Sequence, residues 1–247
     1  MITLPWLDPD LPPEFPPTAH ALKDPSGLLA FGGKLNAHWL QVAYRSGIFP
    51  WFNPDEPILW WSPDPRMVVK PEAVKVHRSL KKTLRKQHFS FTVDQAFEQV
   101  MHQCAGARNY THLTWITDDI KAAYIELHQK GYAHSIETWC DGKLVGGLYG
   151  VSVGKIFCGE SMFSHVSDAS KAAFVYLATH LKRWDYQLID CQVYTDHLAS
   201  LGAAEIGRTE FMDYLKLYGA AVLPLDAWQG ELCATSEAVL ERLDSHQ

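Results

Sequence analysis

The segment 188–192, with the sequence LIDCQ, places an acid and an amide two residues apart in an otherwise apolar run. If the segment is a strand, period-two geometry directs Asp190 and Gln192 to the same face of a sheet. Such a pair can orient an amine and position a carbonyl without forming a covalent intermediate. A structural hydrogen-bond network is the alternative explanation for an Asp inside a core strand. Asp190 and Gln192 are therefore candidate catalytic residues.

A second carboxylate, Glu160, lies in the run 159–164, GESMFS, where a predicted strand ends among aromatic and apolar residues. Gly159 beside it allows another segment of backbone to approach closely. Burying a carboxylate in such surroundings is costly unless it meets a cation. We expect Glu160 to bind a positive group, with a surface or network carboxylate as the alternative.

A set of aromatic and apolar side chains forms the third candidate group. The chain has nine tryptophans in 247 residues, and those in proline-rich segments are difficult to bury as ordinary core. Taken singly, most members of the group would be core residues, but together they could line an apolar pocket or stack on a nucleobase. The group comprises Tyr44, Trp51, Trp60, Trp61, Trp115, Tyr124, Leu148, Phe157 and Met162.

The chain carries a formal net charge of −6, yet six Lys or Arg residues and no acid lie between Glu72 and Asp94. Four of them, Arg78, Lys81, Lys82 and Arg85, have the spacing i, i+3, i+4, i+7 and would share one face of a helix. This stripe is a candidate surface for phosphate groups. A solvated helix face is the alternative.

Several other chemistries have little support in the sequence. It contains no GxSxG motif, no HExxH motif, no paired-cysteine zinc spacing and no nucleotide-binding fingerprint. We therefore predict no bound metal. The five cysteines are scattered and odd in number, there is no run of eighteen apolar residues, and the N-terminus has no basic-then-apolar signal. We expect a cytoplasmic enzyme.

The helices and strands that must position these residues are predicted from the periodicity of apolar residues and from Gly, Pro and capping residues. The first seventeen residues include six prolines and predict an extended or partly mobile arm. Segments 48–54 and 58–66, dense in Pro and Trp, predict an ordered loop region packed against the rest. A boundary near residue 65 would separate a small N-terminal domain, 1–64, from a domain over 65–247.

One helix is predicted before that boundary, and helices and strands alternate beyond it. Strands are predicted over 67–70, 89–93, 133–140, 143–151, 155–162, 187–193 and 205–208. Helices are predicted over 36–46 with Asn36 as N-cap, over 75–86, after an Asp94 cap to about 104, after a Thr117 or Asp118 cap to about 130, and over 167–184, 195–201 and 209–217. The chain is thus predicted to be α+β, with a mostly antiparallel sheet flanked by helices.

A meander of three antiparallel strands followed by a helix and a strand resembles the core of the acetyltransferase (GNAT) superfamily. Enzymes of that kind usually hold coenzyme A on a glycine-rich loop after the central strand. The corresponding stretch here, 163–171, has no glycine. We therefore expect no coenzyme A and no other cofactor, so that a different molecule donates the acyl group.

Many segments between about Gly27 and Arg208 resemble the leucyl/phenylalanyl-tRNA–protein transferase family, in unbroken order. They include LLAFGG at 28–33, AYRSGIFPW at 43–51, WWSPDPR at 60–66, TWI at 114–116, AHSIE at 133–137, LVGGLYG at 144–150, GESMFS, ASK at 169–171, LIDCQ, then His197 and SLGA at 200–203. The resemblance implies transfer of leucine or phenylalanine, and less often methionine, from aminoacyl-tRNA to the α-amine of proteins that begin with Arg or Lys. It also implies that the product is marked for N-degron degradation, and that a small N-terminal domain precedes a GNAT-like domain.

The resemblance further implies roles for individual residues. Asp190 and Gln192 match the family's catalytic pair, and Glu160 matches an acidic residue near the basic acceptor side chain. Residues around the terminal adenosine and the aminoacyl side chain correspond to Tyr44, Trp51, Trp115, Tyr124, Phe157 and Met162, together with Leu148 and Leu177, where the family can have Met and Phe. The tRNA backbone surface corresponds to Arg78, Lys82, Arg85 and Lys86, with Lys82 where the family often has Arg.

An aminoacyl ester is already activated, so the enzyme needs to supply neither a nucleophile nor ATP. An α-amine has a pKa of about 8, so a useful fraction is neutral at cellular pH. Asp190 could then act as a general base or chiefly through Gln192 and electrostatics, and the sequence leaves both open. The alternatives are a coenzyme A-dependent acyltransferase and a non-catalytic tRNA- or degron-binding module. We expect a monomer.

Overall fold

The N-terminal part of the chain forms a small four-stranded sheet in the order β1-β2-β4-β3. The computed structural model describes residues 4–87, 89–106, 114–224, 227–228 and 234–244. β1 pairs in parallel with β2, and the other two pairs are antiparallel. The elements of this part are β1 (Trp6–Leu7), β2 (Leu28–Gly32), helix α1 (Ala37–Arg45), β3 (Phe49–Pro50) and β4 (Leu59–Trp61).

The remaining strands form one eight-stranded sheet in the order β11-β5-β10-β9-β8-β7-β6-β12, in which β9 and β10 are the parallel pair and the other pairs are antiparallel. The strands are β5 (Arg66–Val69), β6 (Ser90–Val93), β7 (Ala133–Cys140), β8 (Lys143–Val153), β9 (Ile156–Ser164), β10 (Leu188–Gln192), β11 (Ala204–Ile206) and β12 (Ala234–Thr235). The helices are α2 (Arg78–Gln87), α3 (Phe97–Ala105), α4 (Asp118–Gln129), α5 (Ala169–Arg183), α6 (Asp196–Ser200), α7 (Arg208–Tyr218) and α8 (Ser236–Asp244).

Two apolar clusters cover the two faces of this sheet. One joins α1, α3, α4 and α7 to the strands and includes Trp39, Tyr124, Tyr149 and Phe211. The other joins α2, α5 and α8 to the strands and includes Leu84, Phe157 and Leu177. Packing helices on both faces of a sheet removes apolar area from water on each side, which is the main stabilising term of such a fold. The α+β class with a small N-terminal sheet is confirmed.

Helix ends predicted from capping residues are confirmed at two positions. The Asn36 side chain accepts a hydrogen bond from the Trp39 backbone N–H at 3.0 Å, and Gly47 follows α1 with a φ of 73°. Thr117 Oγ1 likewise accepts from the Ile120 N–H at 3.3 Å. These side chains satisfy backbone donors that have no partner inside the helix.

The predicted Asp94 cap is wrong. The Asp94 carboxylate instead accepts from the Ser135 backbone N–H and contacts His134 Nδ1, both at 2.7 Å, and α3 begins three residues later. The buried Glu137 carboxylate of β7 accepts from the backbone N–H of residues 95 and 96 at 3.4 Å. Acceptors from a neighbouring strand therefore take over the role of a local cap at this helix N-terminus.

Besides β2, three segments contain regular structure that the sequence analysis did not predict. The proline-rich arm contributes β1, and the region predicted as an ordered loop contains β3 and β4. Pro50 is tolerated in β3 because that strand lies at the edge of its sheet. Near the C-terminus, β12 pairs with β6 and α8 packs on α2. No helix in the described ranges combines the length and the apolar character needed to cross a membrane.

Candidate active site

A pocket of about 370 Å³ lies where the parallel strands β9 and β10 separate. Their ladder runs from the pair Leu188 and Ile156 to the pair Asp190 and Cys158 and ends there. Beyond it the two strands no longer pair, and their side chains line a gap instead of closing it. The topology of the sheet therefore creates the pocket at its centre.

Irregularities in both strands aim side chains into this gap. In β9, Gly159 and Ser161 pair with consecutive residues of β8, which leaves Glu160 as the extra residue of a β-bulge. In β10, Asp190 and Gln192 pair with consecutive residues of β5, which leaves Cys191 as the extra residue. Bulges of this kind re-aim side chains and interrupt pairing beside functional sites. Gln192 also has a φ of 64°, an uncommon conformation for a residue with a side chain.

The structure brings eight of the predicted site residues to the wall of this pocket. They are Trp51, Trp115, Leu148, Phe157, Glu160, Met162, Leu177 and Gln192. The sequence analysis did not select other lining residues as site residues, among them Phe49, Phe174, Ile189, Val193 and Leu198. They follow the ordinary apolar pattern of strands and helices, so nothing in their type separates them from core.

Glu160 is the acid that reaches the pocket. Its carboxylate accepts hydrogen bonds from Tyr124 Oη at 3.0 Å and from Gln192 Nε2 at 2.5 Å. Burial raises the pKa of Glu160 to about 7, while hydrogen bonds from Tyr44, Tyr124 and Gln192 act in the opposite direction. Its charge therefore changes within the range of cellular pH.

Tyr44 and Tyr124 lie behind Glu160 and outside the pocket wall. Their hydroxyl oxygens are 2.5 Å apart, and both side chains are buried. Burial, followed by the nearby Glu160 charge, raises the pKa of each phenol well above its ordinary value. The two tyrosines therefore stay neutral and supply hydroxyl groups behind the acid.

Asp190 is buried behind Gln192 and forms an ion pair with Arg66. Arg66 Nε donates to Asp190 Oδ1 at 2.8 Å, and Arg66 Nη2 donates to Oδ2 at 2.7 Å. The Gln192 backbone N–H also donates to Oδ1, at 2.9 Å. Asp190 thus contacts the pocket through Gln192 and does not line it.

Sequence analysis did not select Arg66 as a site residue. A signal for it was available, because an Asp inside a core strand requires a buried cation, and Arg66 opens the strand next to β10. The type of residue needed could thus be anticipated, whereas the pairing of β5 with β10 could not.

The predicted phosphate-binding residues lie apart from the pocket, on the exposed side of α2. Arg78, Lys82, Arg85 and Lys86 are all exposed, while Leu80 and Leu84 of the same helix are buried. Lys81, the remaining member of the predicted stripe, is half-buried. One face of α2 is therefore charged and the opposite face is apolar, as the spacing predicts.

A hydrogen-bonded contact connects α2 to the helix that lines the pocket. Thr83 Oγ1 donates to the Asp168 carboxylate at 2.9 Å, and Lys171 Nζ contacts the same carboxylate at 3.1 Å. Asp168 immediately precedes α5, whose Phe174 and Leu177 line the pocket. These contacts hold α2, with its exposed Lys and Arg residues, in a fixed position relative to the pocket.

A largely apolar pocket with a carboxylate of raised pKa and an amide at its wall is typical of an enzyme active site. Such a site can bind an apolar group beside a polar, titrating one. Among the described residues, no cluster of three or more His, Cys, Asp or Glu side chains has a metal-binding arrangement.

Comparisons with known proteins identify the family. The family model of leucyl/phenylalanyl-tRNA protein transferase matches residues 68–216, and the model of its N-terminal domain matches residues 33–64. The leucyl/phenylalanyl-tRNA–protein transferase of Chromohalobacter salexigens is 57% identical over 225 residues, which are 91% of this chain and 88% of that protein. The transferase of Azoarcus sp. is 51% identical over 94% of this chain and 97% of that protein.

The chain therefore belongs to the leucyl/phenylalanyl-tRNA–protein transferase family. Among solved structures, that of L-PGS from Bacillus licheniformis is 14% identical and covers 71% of this chain and 59% of that chain, with a TM-score of 0.37. A likeness of that size carries no argument about this chain.

Proposed function

We propose that the pocket between β9 and β10 is where this chain transfers leucine or phenylalanine from aminoacyl-tRNA to the α-amine of a protein that begins with Arg or Lys. Transfer of this kind is the activity of the family, and its product enters the N-degron pathway. The observation that supports the pocket as the site is the position of Glu160 and Gln192 at the wall of a largely apolar cavity.

The apolar part of the pocket fits the side chain of the transferred amino acid. Leu148, Phe157, Met162 and Leu177 surround it, and none of them can hydrogen-bond a polar side chain. A pocket of this kind favours Leu, Phe or Met over polar residues, because a buried polar group without a partner is costly. It discriminates only weakly among apolar groups of similar size.

The terminal adenosine of the donor is assigned to the rim. Trp51 is 45% exposed and lies at the pocket mouth, and Trp115 is the second tryptophan of the lining. Trp61 Nε1 donates to the Trp51 carbonyl oxygen at 2.6 Å and holds that segment in place. An exposed indole in a fixed position is suited to stacking on a base.

Glu160 is proposed to bind the cationic side chain of the acceptor, and its ionised form is the one that attracts it. Gln192 donates to Glu160 and faces the pocket, so it is placed to orient the α-amine. Both oxygens of Asp190 accept from Arg66. Asp190 is therefore proposed to act through Gln192 and not by taking the proton of the amine.

Further assignments belong to the same proposal. Arg78, Lys82, Arg85 and Lys86 would contact the tRNA backbone, and Leu-tRNA and Phe-tRNA would be the donors. The chain would act as a cytoplasmic monomer. It would divide near residue 65 into a small N-terminal domain over 1–64 and a GNAT-like domain over 65–247, since β4 ends at Trp61 and β5 already belongs to the larger sheet.

The test is incubation of the enzyme with Leu-tRNA and a peptide that begins with Arg, followed by measurement of the peptide mass. Addition of one leucine residue, with none on a matched peptide that begins with Ala, is the expected result. A non-catalytic tRNA- or degron-binding module would leave both peptides unchanged. A coenzyme A-dependent acyltransferase would modify the peptide only when an acyl-coenzyme A is supplied.

A further inference from the structure

A continuous set of contacts leads from Arg66 to the wall of the pocket. The Arg66 guanidinium binds both oxygens of Asp190, and Asp190 Oδ1 accepts the backbone N–H of Gln192. The Gln192 side chain then donates to Glu160. Gln192 has a positive φ and follows a bulge, so its conformation depends on contacts outside the regular ladder.

We propose that Arg66 is a positioning residue for the transfer reaction: it fixes Asp190, and through Asp190 the backbone of Gln192, so that the Gln192 amide stays on Glu160 and faces the acceptor amine. This inference rests on the function proposed above. It assigns to Asp190 and Arg66 a joint task, in which neither side chain touches the substrate.

The geometry requires an arginine in this position. A guanidinium presents a rigid fork that matches the two oxygens of a carboxylate, whereas an ammonium group is a single point of charge. Arg66 is 1% exposed, and its guanidinium carbon lies 4.8 Å from the Phe49 ring centre and 4.5 Å from that of Phe211. The two rings hold the plane of the fork, so the direction of both hydrogen bonds is fixed.

Arg66 also connects the pocket rim to the pocket wall. Its Nη1 donates to the Gly47 carbonyl oxygen at 3.3 Å, and Phe49, which packs on the guanidinium, lines the pocket beside Trp51. The N-terminal sheet therefore contacts the same arginine that holds Asp190.

The experiment compares Arg66→Lys with the wild type in the transfer of leucine to an Arg-starting peptide, across a range of pH. Lysine keeps the buried charge but loses the fork. We expect kcat to fall by about 10- to 100-fold, the scale for displacement of positioned groups, with the KM for Leu-tRNA nearly unchanged. The acid limb of the pH profile should move to higher pH, because the Gln192 hydrogen bond lowers the pKa of Glu160.

The other groups that act on Glu160 are all retained in this variant. They are Tyr44 of α1, Tyr124 of α4 and Asp190 of β10. The cation at position 66 is kept, and any displacement of Asp190 would weaken an effect that raises the pKa of Glu160. A movement of the acid limb to higher pH therefore reports the loss of the Gln192 contact. Arg208→Lys is the matched control, since Arg208 also joins two parts of the chain, through the Ser62 carbonyl oxygen at 2.6 Å and Asp64, but lies outside the pocket wall. It should change thermal stability without moving the pH profile.

A double-mutant cycle with Gln192→Ala separates positioning from a general structural role. If Arg66 acts through Gln192, Arg66→Lys should add little to the loss that Gln192→Ala causes, whereas independent effects would multiply. If Arg66→Lys does not fold, the double variant Arg66→Met with Asp190→Leu replaces the buried pair by apolar groups, a change that folds tolerate. It should show the same fall in kcat with the KM for Leu-tRNA nearly unchanged; its pH profile is not compared, because loss of Asp190 removes a charge that itself raises the pKa of Glu160.

Three results would overturn the inference. They are an unchanged pH profile in folded Arg66→Lys, a loss of activity confined to KM in either variant, and fully multiplicative effects in the cycle. Failure of the wild-type enzyme to add leucine would instead contradict the proposed function and leave this comparison without a reaction to measure. The two failures are therefore distinguishable.

Discussion

At the scale of a single residue, opposing effects set the pKa of Glu160. Burial favours its neutral form, while hydroxyl and amide donors favour the ionised form, and the result is a pKa of about 7. An unfolded chain would ionise this carboxylate at its ordinary, lower pKa. The folded protein therefore binds a proton more tightly than the unfolded chain, and stability contributed by protonated Glu160 is lost as pH rises from about 4.5 to about 7.

Glu160→Gln should consequently stabilise the fold above neutral pH while it impairs transfer. Gln resembles the protonated acid, and the penalty for ionisation disappears. We expect the free energy of unfolding to increase by between about 1 and 3 kcal/mol at pH 8, after allowance for partial exposure of the site, and by little at pH 5. Denaturant unfolding at the two pH values provides the measurement. Equal effects at both would contradict the raised pKa.

Tyr124→Phe should move the pH dependence in a defined direction. It removes the hydroxyl group that donates to Glu160, and this hydrogen bond lowers the pKa of the acid. The acid limb of the transfer rate should therefore move to higher pH. Tyr186→Phe is the matched control, because Tyr186 is also buried but its hydroxyl group contacts Ser152 and Trp228. An identical pH profile for both variants would exclude Tyr124 as a determinant of the Glu160 pKa.

At the scale of elements, the strands that carry the site could be predicted from sequence, but their irregularities could not. Alternation and the Asp141–Gly142 turn predict β7 and β8, and the apolar run predicts β10. The bulges at Glu160 and Cys191 depend on which strands are neighbours, which is set by the whole sheet. The sequence analysis therefore identified Glu160 and Gln192 but gave no account of how they reach one pocket.

Local signals also failed where a distant strand competed for a helix end. Asp94 has the type and spacing of an N-cap, yet its carboxylate contacts β7, and Glu137 takes over at the start of α3. Asn36 and Thr117 keep their predicted contacts with the backbone N–H of Trp39 and Ile120, although Glu126 of α4 accepts from the Ala37 N–H beside Asn36. A capping residue predicts a helix end only when tertiary contacts leave its side chain available.

Helix α2 is expected to set the affinity for tRNA without affecting the chemical step. Arg85→Ala removes one exposed cation and should raise the KM for Leu-tRNA, lower the salt dependence of binding by about one unit of slope, and leave kcat nearly unchanged. Lys143→Ala is the matched control, because Lys143 is also exposed but lies at the start of β8. Equal effects of the two substitutions would show that α2 does not contact tRNA.

At the scale of the whole molecule, the C-terminal segment supports the back of the pocket. The Trp228 ring stacks on His134 with the ring centres 4.0 Å apart, and it lies 5.7 Å from the ring of Phe157, which lines the pocket on its other side. Its Nε1 donates to Tyr186 Oη at 2.7 Å. This residue lies beyond residue 216, where the family match ends, and the sequence analysis found no signal there.

Trp228→Ala should therefore lower stability and loosen the pocket. We expect a loss of about 2–4 kcal/mol in the free energy of unfolding, somewhat below the value for a fully buried tryptophan. Thermal unfolding measures it, and Trp6→Ala is the control, since Trp6 is 59% exposed. If the two variants were equally stable, Trp228 would not be part of the packing that supports Phe157.

The most direct test of the central claim is the rate at which leucine is transferred to an Arg-starting peptide by the wild type and by Glu160→Gln, read by peptide mass between about pH 6 and pH 8.5. The α-amine of the peptide titrates identically in both reactions, so the ratio of the two rates isolates Glu160. We predict that the wild-type rate divided by the Glu160→Gln rate increases as pH rises through about 7, where Glu160 ionises. A ratio that stays constant with pH, or a wild type that adds no leucine, would contradict the proposed role of Glu160.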